Sequence, residues 1–260
     1  MNISICWCGF DFGGTIQDPS KGYQYTIEAI NEIYTKLGKP DVINEKVARF
    51  DELIAEYEYD ERLMDGIEHE IEFWKRHYRF KRLQETAIHK FFSYILDNNQ
   101  DAIELYSKKR FRHLKPADGL KECLTYLKDK GISVNIVSDV GSETTLKIIP
   151  HFLSIHNLTP YFSEIITNYG RIKNDGNIDL SYKGMGKSDG AIYKKLAQDL
   201  LEIGIQPSQA LIIGDRPVED VDKAKENGFK AIQFTGVMKR RISKVADYVI
   251  SDLRGLKKIL

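Results

Sequence analysis

The stretch Ile3-Ser4-Ile5-Cys6-Trp7-Cys8-Gly9-Phe10-Asp11-Phe12-Gly13-Gly14-Thr15 decides how the rest of the chain is read. Its apolar residues run almost without interruption and then stop at a carboxylate and two glycines. A half-exposed strand would alternate apolar and polar side chains, so this run reads as a strand buried on both faces that ends in a tight turn.

Similar runs recur after Lys115-Pro116, at residues 132–137, 162–167, 210–213, 230–234 and 248–250. Helical spacing fills the gaps between them, around 120–128, 143–156, 189–203 and 218–227. Short apolar strands alternating with amphipathic helices predict an α/β fold, a doubly wound parallel sheet covered on both faces. The intervening hundred residues differ. Ile27, Ile30, Tyr34 and Leu37 form one stripe at helical spacing, and Val47, Phe50, Ile54 and Tyr57 another. Ile67, Ile71, Trp74 and Tyr78 form a third, and Ile88, Phe91, Phe92 and Ile95 a fourth. Residues 1–17 and 115–260 are therefore expected to form the α/β core, and 18–114 an inserted helical cap.

A length of 260 residues suits such a core with an insertion, and 42% apolar content can fill it. The 38 basic and 38 acidic residues cancel, which removes any global attraction to nucleic acid or to an anionic membrane. No apolar run approaches the roughly 18 residues of a membrane span. Met1 to Phe10 has no basic leader, so no signal peptide is expected. Cys6, Cys8 and Cys123 make no disulfide framework, and a reducing cytoplasm is the expected compartment. The six histidines lack metal-ligand spacing.

In doubly wound sheets, ligands sit at the carboxyl ends of the strands. Three of the expected strands end in polar residues there, at Asp11, at Ser138-Asp139 and at Gly214-Asp215. With these in place, Asp11-Phe12-Gly13-Gly14-Thr15 resembles the first motif of the haloacid dehalogenase-like (HAD) hydrolases, Asp-x-Asp-Gly-Thr, with its third residue changed. Ser138 resembles the second motif, Lys187 before Ser188-Asp189 the third, and Gly214-Asp215 with Asp220 the fourth. Lys115-Pro116-Ala117-Asp118-Gly119-Leu120 is similar to the segment by which family members leave a C1-type cap.

The resemblance implies a Rossmann-like core and phosphoryl transfer to Asp11, which becomes an aspartyl phosphate and splits one hard displacement into two. It implies Mg2+ held by Asp11, Asp215 and the backbone carbonyl of Gly13. Thr15, Ser138 and Lys187 would hold the transferring oxygens, and Asp220 would act from behind on Lys187 or on metal-bound water. Lys183 is a second candidate for the lysine. Asp220 also reads as an ordinary acid in the first turn of a helix, and Asp18 as a turn residue before Pro19.

Gly13 replaces the aspartate that, in most phosphatases of this family, protonates the leaving oxygen and then activates water. Its loss costs on the order of 10²–10⁴ in rate, most for alkyl esters and least for acyl or aryl phosphates. The expected function is a magnesium-dependent phosphatase acting on a small phosphorylated molecule. Two alternatives stay open. One is a phosphonoacetaldehyde-hydrolase-like carbon–phosphorus hydrolase using a cap lysine such as Lys75, Lys81 or Lys90. The other is a non-catalytic member that binds a phosphorylated ligand. In the cap, Lys75, Arg76, Arg79, Lys81 and Arg82 interleave with Trp74, Tyr78 and Phe80, and Lys108, Lys109, Arg110 and Arg112 form a second basic cluster. These read either as an anion or base-stacking surface or as solvated helix faces.

Overall fold

The central strands of the core owe their place to apolar residues facing both ways, and the order of the strands in space sets the site. The computed structural model describes residues 4–59, 67, 71–110, 115–141, 143–173 and 176–260. Among these the chain divides into two compact units, Met1–Asp18 with Pro116–Leu260, and Pro19–Lys115.

The first unit is a mostly parallel sheet. In chain order its strands are β1 (Trp7–Phe10), β4 (Ser133–Ser138), β5 (Glu164–Thr167), β6 (Gly170–Lys173), β7 (Ile178–Asp179), β8 (Ala210–Gly214), β9 (Lys230–Phe234) and β10 (Tyr248–Ile250). Their spatial order is β10-β9-β8-β1-β4-β5-β6-β7 among the described residues. The short strands Gln17–Asp18 (β2) and Lys115–Pro116 (β3) pair separately where the chain leaves and re-enters the core. Strand β1 is central, pairing in parallel with β4 through Phe10↔Ile136 and with β8 through Phe10↔Ile213. Trp7, Val137 and Ile212 pack on one face against Ile192, Tyr193, Leu196 and Leu200 of the helix Ala191–Glu202. Cys8 and Phe10, one residue out of phase, turn to the opposite face.

The parallel expectation fails at one edge. β6 and β7 run antiparallel, as a hairpin of polar, half-exposed residues added beside β5. The segment expected as a helix over 218–227 is also more complex. A π-helical turn, Pro217–Asp222, precedes a single α-turn, Lys223–Glu226.

The second unit packs the helices Gly22–Lys36, Ile43–Ala55, Ile71–Thr86, Ile88–Tyr94 and Gln100–Arg110. Ile30, Tyr34, Phe50, Ile54, Phe91 and Ile95 form its centre, with Ile27, Leu37, Val47, Tyr57, Ile88 and Phe92 packed around them. Ile67, Trp74 and Tyr78 are buried too, while the side chain of Ile71 lies outside the described ones. Phe50 meets Phe80 and Phe91 edge-on, at centroid distances of 5.7 and 5.6 Å. The Tyr34 hydroxyl donates to the Ile95 carbonyl at 2.5 Å, and Asn99 caps the next helix by accepting from the Ala102 amide at 3.0 Å.

Candidate active site

The three central strands end side by side, and strand order reverses about β1, which is where such sheets leave a crevice. Asp11 follows β1 directly, Ser138 closes β4 and Asp215 follows β8. The Asp11 amide is anchored on the Ile213 carbonyl at 2.8 Å. Its side chain is then met from two sides. Ser138 Oγ donates to Asp11 Oδ1 at 3.2 Å, and Lys187 Nζ donates to the same oxygen at 2.6 Å.

Lys187 is almost completely buried, and it also donates to Asp220 Oδ1 at 2.6 Å. Its backbone amide is held by Asp139, at 3.0 Å from Oδ2. Lys183, the second candidate for this role, is exposed. The remaining oxygen of Asp220 accepts from the Arg216 amide at 2.9 Å, so both its oxygens are engaged. The π-turn carries Asp220 back over Gly214, where any Cβ would fall 2.3 Å from the Asp220 carboxyl carbon. A π-turn at such a position is common beside functional groups.

Asp215 forms the other half of the cluster. Arg240 Nε donates to its Oδ2 at 2.8 Å, and both residues are buried. Its Oδ1 is buried with no hydrogen-bond partner among the described residues, and so is the hydroxyl of Thr15. Asp11, Asp215 and Asp220 each offer an oxygen within 4.8 Å of the others. Gly14 has a φ of +85°, and a Cβ there would lie 3.1 Å from the Asp215 carboxyl carbon, so glycine is required. Gly13 has no such constraint, for a Cβ there meets nothing within 4 Å.

The charges are coupled. Burial pushes the Asp11 carboxyl up to about 7, with Lys187 acting in the opposite sense. Burial also opposes the charge on Lys187, but Asp11 and Asp220 outweigh it and hold the ammonium well above its usual range. Burial raises Asp215 as well, against the pull of Arg240.

A divalent cation fits this donor set. Asp11 makes both of its side-chain hydrogen bonds through Oδ1, and Asp215 is tied through Oδ2 while its Oδ1 stays unpaired. A hard cation of Mg2+ type takes oxygen ligands of this kind. Buried oxygens without partners are costly unless something else satisfies them.

Arg240 and Asp139 are the residues that strand-end reasoning missed. Asp139 was visible as a strand terminus, with no role attached. Arg240 stands in the run Lys239-Arg240-Arg241, which has the look of a solvated basic loop, and nothing local signals its burial.

The basic–aromatic helix of the second unit resolves differently. Trp74, Tyr78 and Phe80 are buried, so their faces are core. Lys75 pairs with Glu72 at 2.9 Å, Lys75 and Arg79 lie over the Tyr59 ring, and Arg76 lies over Tyr23. In the second basic cluster, Lys108 and Lys109 pair with Glu104 and Glu32; Arg112 and the side chain of Arg110 lie outside the described ones.

These features place the protein among α/β folds with a buried aspartate at the end of the central strand. The haloacid dehalogenase-like hydrolase family matches residues 7–228, and the chain belongs to that family. It is 24% identical over 159 residues to glyceraldehyde 3-phosphate phosphatase of Pyrococcus furiosus, a match spanning 60% of this chain and 58% of that enzyme. Its fold is similar to that of a HAD phosphatase from Thermococcus onnurineus, with a TM-score of 0.54 and 20% identity, covering 98% of this chain and 97% of the other. It is also similar to a magnesium-bound HAD-hydrolase, YfnB, from Bacillus subtilis, with a TM-score of 0.52, 18% identity and 99% of each chain covered. No helix among the described residues is long and apolar enough to cross a membrane.

Proposed function

We propose that the protein is a Mg2+-dependent phosphohydrolase that transfers the phosphoryl group of a small phosphorylated molecule to Asp11. The observation that carries this is the buried Asp11 carboxylate, gripped at Oδ1 by Lys187 and Ser138 beside the unpaired Oδ1 of Asp215. The phosphatase relative from Pyrococcus furiosus supports the substrate class, and the magnesium-bound Bacillus structure supports the cofactor.

Asp11 and Asp215, with the Gly13 backbone carbonyl, would hold the cation, which supplies positive charge for the transferring oxygens. The chain's own groups do the rest. Lys187 and Ser138 leave Asp11 for the incoming phosphoryl oxygens and hold the group in line with the carboxylate. The buried Thr15 hydroxyl, unpartnered among the described residues, donates a further hydrogen bond to it. Asp220 fixes the Lys187 ammonium from behind, and Asp139 fixes the backbone that carries it. Gly13 supplies no proton to the leaving oxygen. Substrates with good leaving groups, acyl and aryl phosphates, therefore turn over faster than alkyl esters.

The carbon–phosphorus reading needs a neutral lysine amine in the helical unit. Glu72 holds Lys75 above its ordinary pKa, which keeps it protonated, and Lys90 pairs with Glu56 at 3.8 Å. A purely ligand-binding role leaves the buried nucleophile without a task.

The test is phosphate release from acetyl phosphate and para-nitrophenyl phosphate, with and without Mg2+, in the wild type and in Asp11→Asn. Release that needs both the cation and Asp11 is expected. Phosphate binding without release in the wild type would instead establish the ligand-binding reading.

A further inference from the structure

The hairpin at the edge of the sheet reaches back toward the strand ends. β5 and β6 pair as far as Thr167↔Gly170, so Asn168 and Tyr169 form its tip. Because β5 runs parallel to β4, that tip stands at the carboxyl end of the sheet, where β4 closes in Ser138. The last rung of the β4–β5 ladder is Ser138↔Thr167, and beyond it a side chain takes over. Asn168 Oδ1 accepts from the Val140 amide at 2.8 Å, and Asn168 Nδ2 donates to the Val140 carbonyl at 3.1 Å. A carboxamide carries the same donor and acceptor as a peptide unit, so it can hold a backbone residue by both its polar groups.

The geometry points to Asn168 as a positioning residue that ties together the two segments whose side chains grip Asp11. One segment is Ser138-Asp139-Val140, and the other carries Lys187. Three observations carry this. First, while its side chain holds Val140, the Asn168 backbone carbonyl accepts from the Gly184 amide at 2.8 Å, at the start of the turn that leads to Lys187. Second, the two segments meet again nearer the site, where the Lys187 amide donates to Asp139 Oδ2 at 3.0 Å. Bonds and chain together close a ring through Asn168, Val140, Asp139, Lys187 and Gly184. Third, the hairpin tip does not itself call for asparagine. The non-glycine residues with left-handed backbone among those described are Asp97, Asn98 and Asn157, and Asn168 is not one of them. The tip is also locked without it, since Thr167 Oγ1 donates to the Gly170 carbonyl at 3.0 Å and accepts from the Tyr169 amide at 3.1 Å.

Lys187 Nζ and Ser138 Oγ converge on one oxygen of Asp11, at 2.6 and 3.2 Å. A shift of either segment therefore changes what an incoming phosphoryl group would meet. This kinetic consequence rests on the reaction argued under Proposed function. Misplacing a group by about 1 Å can cost on the order of 10²-fold in rate. Asparagine is the residue the tie needs. Aspartate has the same shape, but it cannot donate to the Val140 carbonyl and sets a negative charge against it.

The experiment compares the whole wild-type protein with Asn168→Asp and Asn168→Ala. It measures kcat and KM for acetyl phosphate with Mg2+, amide hydrogen exchange, and urea unfolding. We expect both variants to fold and to lose about tenfold in kcat, with KM changed by less than about twofold. The Lys187 amide should exchange faster in both, while the amides of β1 keep their protection. A residue that only stabilised the hairpin would lower the urea midpoint and leave kcat of the folded protein as it was. Unchanged kcat in a folded variant overturns the assignment, and so does unchanged exchange at Lys187. Should Asn168→Ala not fold, Asn168→Asp decides by the same readings. A wild type that releases no phosphate would remove the phosphohydrolase reading alone. Exchange at Lys187 then decides the tie by itself, faster exchange in the variants supporting it and unchanged exchange overturning it.

Discussion

Gly13 and Gly14 are neighbours under opposite constraints. Gly14 is demanded by its left-handed backbone and by the carboxylate against it, whereas the space beside Gly13 is open. The acid–base group proposed to be missing at Gly13 would thus be a property of the residue and not of the turn. Gly13→Asp should fold normally and raise turnover on alkyl phosphates, on the order of 10²-fold, with little change on acyl phosphates. Equal gains on both substrate types, or none, would show that proton transfer does not limit the reaction. Lys187 carries the opposite kind of risk. It separates two buried carboxylates, and Lys187→Met would leave Asp11 and Asp220 facing each other with no cation between them. Urea unfolding should register a loss of about 3–5 kcal/mol without added cation, since a broken buried pair leaves uncompensated charge. At this scale much of the cluster was legible. Asp11, Ser138 and Asp215 stand where apolar strand runs stop, and a residue at a strand's carboxyl end has a known neighbourhood. Arg240 was not, because its partner lies 25 residues earlier and only the fold brings them together.

Elements were legible in proportion to their apolar period. β1, β4, β8 and β9 are buried, and their side chains announce it. The hairpin β6–β7 is short and polar, and its side chains carry no repeating pattern; only Asp175-Gly176 between the two strands hints at a turn. The residues of the π-turn at Pro217–Asp222 keep helical spacing and so read as part of an ordinary helix; within it the Asp220 carboxylate returns to accept from the Arg216 amide. The helix Ile71–Thr86 holds a group with a pH signature. Burial lowers the His77 pKa to about 3, with a smaller contribution from Lys81. Its folded pKa is depressed, so below about 6.5 the unfolded chain takes up a proton that the folded one refuses. Stability of the helical unit is then full above that pH and falls as pH drops toward 3. From pH 7 to pH 5 the loss should be about 2 kcal/mol. His77→Leu should flatten the dependence in urea titrations at the two pH values, and a variant that keeps the full slope would assign it elsewhere.

At the scale of the whole molecule, each unit holds one of the two tryptophans, Trp7 in β1 and Trp74 in the helix Ile71–Thr86. Fluorescence of Trp7→Phe therefore reports the helical unit, and that of Trp74→Phe reports the sheet. The change of period near Lys115-Pro116, where helical stripes give way to strands, falls at the boundary between the two compact units. The order of strands in space was not, because apolar runs carry no label saying which will be neighbours.

The central place of β1 has a consequence for how the molecule comes into being. Its partners begin at Ser133 on one side and Ala210 on the other, so β1, which leads into Asp11, precedes both and gains its second neighbour only once β8 is made. The helical unit is contiguous from Pro19 to Lys115. Local contacts form faster than distant ones, because closing a long loop must precede any gain from pairing its ends. In refolding from urea, the Trp74 signal should recover before the Trp7 signal, and a single shared rate would rule the sequence out. On a ribosome the same order holds for a simpler reason. An emerging chain has no complete seat for Asp11 until Gly214 is made, so the proposed site comes together only after β8 is synthesised.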